Sequence, residues 1–300
     1  MAKAVYVGVG SKARKMKKAY IGIGGKARKV KKMYIGVGGK ARLCYSAEAD
    51  KFGMAASLSK ARSLLAGTTV GGYALFGGGG YESDAKKGEA IMDAYNASLT
   101  RTTATPLPSN AYACAGGTVG GYAVFSGGSS MNSDSTLVET IGALEIVRAY
   151  DSSLTSSQAA PLSCPRAVHS AATIGNHLLF AGGYNSTTGK YLSTVESYDA
   201  SLTRSTAVEL SSAKNGLASA TVGEYAMFAG GYKGNSDATY VATVDAYNTA
   251  LTKTTMPDLS VGRHGLASAV IGDYALFAGG ISKISSTADK YQDVVDVYSA

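Results

Sequence analysis

The 300-residue chain has no tryptophan, three histidines, three cysteines and five prolines. So few histidines and cysteines leave little material for metal or acid–base chemistry. Cys44, Cys114 and Cys164 are far apart and without C-x-x-C spacing. They read as buried free thiols, not as a disulfide framework or a metal site. No H-E-x-x-H pair and no phosphate loop is present, so the common hydrolase and nucleotide signatures are missing. The glycines at Gly22-Ile-Gly24-Gly-Lys-Ala27 lack the βαβ setting of a dinucleotide fold. No run of 18 apolar residues occurs, so no membrane span is expected. The start M-A-K-A-V-Y has no apolar h-region, so no secretory leader is expected either. A product made this way in the cytoplasm and acting outside leaves by lysis or inside a particle.

Acidic residues are absent from residues 1–45, which hold ten Lys and three Arg. The remaining residues hold 16 basic and 21 acidic groups, so a basic head precedes a mildly acidic body. The head is a repeat. Tyr6, Tyr20 and Tyr34 are 14 residues apart, as are Lys12, Lys26 and Lys40, and Arg14, Arg28 and Arg42. Each unit predicts a hairpin: Y-I-G-I is one strand, Gly-Gly or Gly-Ser the turn, and K-A-R-K the return. An isolated hairpin is marginal in water and needs partner strands.

Glycine is plentiful, at 38 of 300, against a usual share of about 7%. It marks a second repeat. Phe76, Phe125, Phe180, Phe228 and Phe277 each precede glycine, at intervals of 49, 55, 48 and 49 residues. Tyr95, Tyr150, Tyr198, Tyr247 and Tyr298 follow with similar spacing. The fourth copy predicts strands at L217-A-S-A-T-V222, Y225-A-M-F-A229, V241-A-T-V-D-A-Y247 and T252-K-T-T-M256. Four strands per unit of about 50 residues is the propeller signature.

The stretch R166-A-V-H-S-A-A-T-I-G-N-H-L-L-F-A-G-G183, with V195-E-S-Y-D199 after it, resembles the kelch repeat over residues 58–300. Leu99, Leu154, Leu202 and Leu251 stand where that family has Trp. The resemblance implies an all-β fold: a five-bladed kelch-like β-propeller over 46–300, preceded by the β-hairpin repeats of 1–45. The fifth copy stops at Ala300 without an outer strand, and M54-A-A-S-L-S lines up with M256-P-D-L-S. Residues from about 50–57 are therefore expected to close the last blade, which removes exposed sheet edges. Some kelch propellers are copper radical oxidases, but His169, His177 and His264 fall at different repeat positions. Acids from separate blades meeting on the axis, as in sialidases, are not singled out by any spacing. No catalytic residue, metal or cofactor is expected.

Turns within the first hairpin repeat closely: V70-G-G-Y, V119-G-G-Y, I174-G-N-H, V222-G-E-Y and I271-G-D-Y. Loops between strands two and three vary, and they share a face with the inter-blade links. Variable loops on a rigid scaffold are where binding resides. That face is expected to present Arg62, Tyr81, Arg166, Tyr184, Tyr191, Lys214, Tyr232, Tyr240, Arg263 and Tyr291, a mixture suited to a cell-surface glycan or a protein. A competing structural reading has the cations satisfying backbone carbonyls and the tyrosines packing between blades.

The head, through Tyr6, Lys12, Arg14, Tyr20, Lys26, Arg28, Tyr34, Lys40 and Arg42, resembles repeats at the front of tail structural proteins of phages and prophages of Gram-positive bacteria. That resemblance implies attachment to other tail proteins and to copies of itself, in a virion or a prophage-derived tail particle. The expected function is then a non-enzymatic, receptor-binding tail protein. The alternatives are an intracellular kelch adaptor with a nucleic-acid-binding head, and a propeller hydrolase or oxidase. Nucleic acid is less favoured, because the charge sits in a regular hairpin repeat.

Overall fold

The computed structural model describes backbone at 6–9, 12–15, 20–23, 26–29, 32–37 and 40–46, and then residues 55–80, 88–130, 142–234, 240–285 and 288–299. The chain divides into two compact units, Met1–Met54 and Ala55–Ala300. The division falls later than residue 45 because the last strand of the first unit runs Lys40–Ser46. Among the described residues no helix is long and apolar enough to cross a membrane.

The first unit holds three antiparallel hairpins. Tyr6–Val9 pairs with Lys12–Lys15, Tyr20–Ile23 with Lys26–Lys29, and Lys32–Val37 with Lys40–Ser46. The register is the same in the first two, Tyr6↔Lys15 and Tyr20↔Lys29. The side chains of Tyr6, Lys12, Arg14, Tyr20, Lys26, Arg28, Tyr34, Lys40, Arg42 and Cys44 lie outside the described residues.

Among the described residues the second unit holds five antiparallel sheets of three or four strands in chain order, called here blades 1–5, and three two-stranded ladders in their loops. In blade 3 the strands are Ser170–Ile174, His177–Ala181, Val195–Tyr198 and Arg204–Ala207. Blades 1, 2 and 4 repeat this order. The first hairpin turns at Gly175-Asn176, as the sequence predicts. The third strand of blade 4 begins at Val244, later than the predicted Val241, and is buried at every position rather than alternately. The reason is that an inner blade is covered on both faces, so neither face is polar.

Four apolar clusters tie neighbouring blades together. They join blades 1 and 2, 2 and 3, 3 and 4, and 4 and 5. Phe125, Phe180, Phe228 and Phe277 are their largest apolar members, each at most 1% exposed. Burying one such ring is worth about 1.5–3 kcal/mol. Each meets a tyrosine of its own blade edge-on; for Phe180 and Tyr198 the centroids are 5.7 Å apart. The Tyr198 hydroxyl then donates to Ala160 O at 2.8 Å, fixing the link that enters the blade. Small hydroxyl residues stitch the innermost strands: Thr173 Oγ1 donates to Thr118 O, and Thr221 Oγ1 to Thr173 O.

The expected ring closure is not found. Blade 5 has three strands, Ala267–Ile271, Tyr274–Ala278 and Val295–Ser299, and no described strand completes it. Of the expected closing segment, 50–54 lie outside the described residues. Residues 55–57 form no strand. They are held against blade 1, where Tyr95 Oη donates to Ala56 O at 2.8 Å and Arg101 to Ser57 O at 2.7 Å. The outer face of blade 5 is open, with Ile271, Val295 and Val297 at 69, 51 and 55% exposure. Blade 1 keeps an apolar groove of about 680 Å³ lined by Leu58, Leu65, Phe76 and Leu99. Leu99 is left exposed there, whereas Leu154, Leu202 and Leu251 pack on the core of the preceding blade.

Candidate ligand-binding face

The four repeated cations are buried. The side chains of Arg62, Arg166, Lys214 and Arg263 are 0% exposed. Each meets a carboxylate on the third strand of its blade: Asp93 at 2.9 Å, Glu196 at 2.5 Å, Asp245 at 3.5 Å and Asp296 at 2.9 Å. Each also donates to backbone carbonyls, as Arg166 does to Gly182 O and Thr194 O at 3.1 Å. These cations therefore lock link to blade and are not presented to a ligand. Burial pushes the Lys214 ammonium below its ordinary range, against the pull of Asp245. At Asp93 burial acts upward, but bonds from Ser59 and Arg62 outweigh it and hold the carboxyl low.

Blade 2 lacks the lock, and three changes go together. Ala111 replaces the cation, Arg148 the carboxylate, and Pro108 the serine whose backbone N–H donates to it elsewhere. In blade 3 that serine is Ser163, bonded to Glu196 at 2.9 Å.

Above the locks, each link pairs with the loop that follows the glycine pair. Ala167 and Tyr184 exchange backbone hydrogen bonds, as do Asn215 and Tyr232, and His264 and Ile281. The glycine pair permits this approach. Gly182 has φ +68°, and a Cβ there would lie 2.6 Å from Lys214 O. The variable loops and the inter-blade links thus share one face, as the four-stranded topology requires.

On that face the loops of blades 3, 4 and 5 join in one strip of rings. Tyr184 and Tyr191 lie across a short ladder in blade 3, with centroids 5.0 Å apart. Tyr191 meets Tyr232 of blade 4 at 5.6 Å, and Tyr232 meets Tyr240 at 5.5 Å. Tyr240 stacks on His264 of the next link, 4.9 Å away with planes 5° apart. The Tyr240 hydroxyl donates to Asp289 of blade 5 at 3.1 Å, and Asp289 pairs with Lys283 at 3.2 Å. Gly234 lies so close to Tyr191 that a Cβ would run into the ring. Burial raises the Tyr191 and Tyr240 phenols and lowers the His264 imidazole, which favours the neutral form of each.

Of the tyrosines expected on this face, Tyr184, Tyr191, Tyr232 and Tyr240 come together. Tyr291 is 81% exposed and apart from the ring contacts. Tyr81 lies outside the described residues. Sequence reasoning missed His264, Asp289 and Lys283. His264 had a signal: the residue after the cation in each link is Ser63, Ala167, Asn215 or His264, which varies as loop residues do.

Two other features were weighed. A groove of about 560 Å³ lies on the constant-turn side of blades 1 and 2, lined by Gly71, Tyr73, Asn96 and Tyr122. It is built of repeated scaffold turns and gathers no charged side chain. Ser126 Oγ is 2.8 Å from His169 Nε2, but the two are 1 and 7% exposed. Burial, with Arg166 nearby, holds His169 down at about 3, so it is no base at neutral pH. Cys114 and Cys164 are unbridged and half-buried rather than fully buried.

Comparisons agree with this architecture. The "Kelch motif" family model matches residues 165–201. The solved "Structure of YjhT" aligns with TM-score 0.61 at 15% identity, covering 92% of this chain and 95% of that one. No curated protein matches the chain. The fold is an all-β, kelch-like propeller.

Proposed function

We propose that this chain is a non-enzymatic binding protein of a phage or prophage tail particle. Its propeller engages a ligand on a cell surface through the variable-loop face. Its basic hairpins attach it to other particle proteins and to copies of itself. It is made in the bacterial cytoplasm and delivered within the particle. The observation that carries the reading is the ring strip from Tyr184 to His264, which crosses three blades on the face of variable loops. The resemblance of the basic repeat to tail proteins supports the attachment half.

The labelled full chain is to be applied to cells of a panel of Gram-positive bacteria, beside Tyr191→Ala, and weighed by light scattering. Adhesion to some of the panel, weakened by Tyr191→Ala, with a defined oligomer in solution, is the expected result. A monomer that binds no cell and co-purifies with salt-sensitive nucleic acid makes the head a phosphate binder and removes the tail reading.

A further inference from the structure

We infer that the strip formed by Tyr184, Tyr191, Tyr232, Tyr240 and the Lys283–Asp289 pair is a binding platform for an uncharged glycan chain. This rests on the reading of the variable-loop face as the binding face.

Geometry excludes a cage. Successive ring centroids are 5.0, 5.6 and 5.5 Å apart, so the rings touch one another and enclose no space for an ammonium group. They form an uneven strip instead, with planes inclined by 50, 74 and 46° in turn, so that ring faces and ring edges are offered alternately. Its step is comparable with the length of one pyranose unit, so a chain of several sugars lies along it. The apolar face of a pyranose covers an aromatic ring, while the phenol hydroxyls stay at the edge for hydrogen bonds.

The end at blade 5 carries an ion pair, while Lys190, across the ladder from Asn185, is exposed at the blade 3 end. Lys283 and Asp289 are 31 and 49% exposed. They place a donor and an acceptor 3.2 Å apart, a spacing that meets two neighbouring hydroxyls of one sugar. The Lys283–Asp289 pair is neutral as a whole. Lys283 is already engaged by Asp289, so that end of the strip holds no free cation for a phosphate. Neutral hydroxyl-rich ligands therefore fit better than nucleic acid. Lys190 and Lys233 adjoin Tyr191 and Tyr232 in the chain, so the nucleic-acid outcome is tested directly.

The full chain, Tyr191→Ala and Asp289→Ala are to be applied to an array of neutral pyranose oligosaccharides, and titrated with a 20-mer of deoxythymidine and with tetramethylammonium. Asp289 is an exposed residue, so its variant stays folded even if the ring variant does not, and thermal melts check both. The expected result is binding to array members, weakened about tenfold in each variant, which is the loss of one stacked ring or one polar anchor, with no uptake of the other two probes. Binding to no array member, or equal binding by Asp289→Ala, overturns the inference. So does retention of the oligonucleotide or of tetramethylammonium at the strip. Cell adhesion that still depends on Tyr191 while the array stays blank leaves the binding-face reading standing and removes the glycan. Loss of both removes both.

Discussion

Ser126 of blade 2 and His169 of blade 3 hydrogen-bond at 2.8 Å inside the chain, where blade 4 offers only Ala229 and Leu217 at the corresponding positions. Two polar residues have taken places that the repeat fills with apolar ones. The pair is satisfied at Nε2, while His169 Nδ1 has no partner.

This pair makes the fold acid-sensitive. His169 is depressed from 6.5 to about 3 by burial and by Arg166. The unfolded chain therefore takes up a proton that the folded chain refuses. The contribution is fully present above about pH 6.5 and is lost as pH falls toward about 3, at roughly 1.4 kcal/mol per unit. The double variant Ser126→Ala, His169→Leu restores the blade 4 pattern. Its urea midpoint should fall less steeply with pH over that window than the parent's. An identical pH slope in the two proteins means that His169 is not the group responsible.

Buried locks predict a graded series. Arg166→Ala leaves Glu196, 1% exposed, with Arg204 at 3.5 Å as its remaining cation, and should cost about 3 kcal/mol. Arg263→Ala leaves Asp296, already 17% exposed beside a blade with no described outer strand, and should cost clearly less. Denaturant unfolding of both variants orders them. The reverse order contradicts the open edge of blade 5.

Val244 and Val295 hold equivalent places on third strands, yet Val244 is fully buried and Val295 is 51% exposed. Val244→Thr should cost about 1–3 kcal/mol through its unsatisfied hydroxyl, and Val295→Thr almost nothing. Equal losses in thermal melts would show that the blade 5 face is covered in solution.

Gly234 tests the strip without removing a ring. Gly234→Ala forces Tyr191 aside. Affinity for whatever ligand the parent binds should drop severalfold, with the melting temperature changed little. Unchanged affinity would place the ligand away from Tyr191.

Much of this fold was legible from recurring letters. The phenylalanines before glycine mark second strands, and the tyrosines after them mark third strands. Both recur because each blade repeats the same edge-on ring contact. The burial of Arg62, Arg166, Lys214 and Arg263 was legible only as the competing reading, cations satisfying backbone carbonyls, and their carboxylate partners were not read, because a charge in a link normally faces water. The clue lay 30–33 residues on, where Asp93, Glu196, Asp245 and Asp296 recur as the second residue of each third strand. Blade 2 confirms the coupling by losing serine, cation and carboxylate together, to Pro108, Ala111 and Arg148. His264 and Asp289 escaped notice because the strip is assembled from three loops, and contacts across loops leave no period in the sequence. Closure of the ring left no clear mark either: it depends on the partners of Val295–Ser299, which spacing alone does not identify.

The main-chain pairing of link with loop has a consequence for change over time. Backbone bonds do not depend on the side chain that rides on them. Gly80, Ser129, Tyr184, Tyr232 and Ile281 accordingly occupy one structural position in five blades without disturbing it. A recognition surface built this way can exchange its contacts one residue at a time while the chain beneath stays fixed. Under the proposed function, its specificity is free to drift at almost no structural cost.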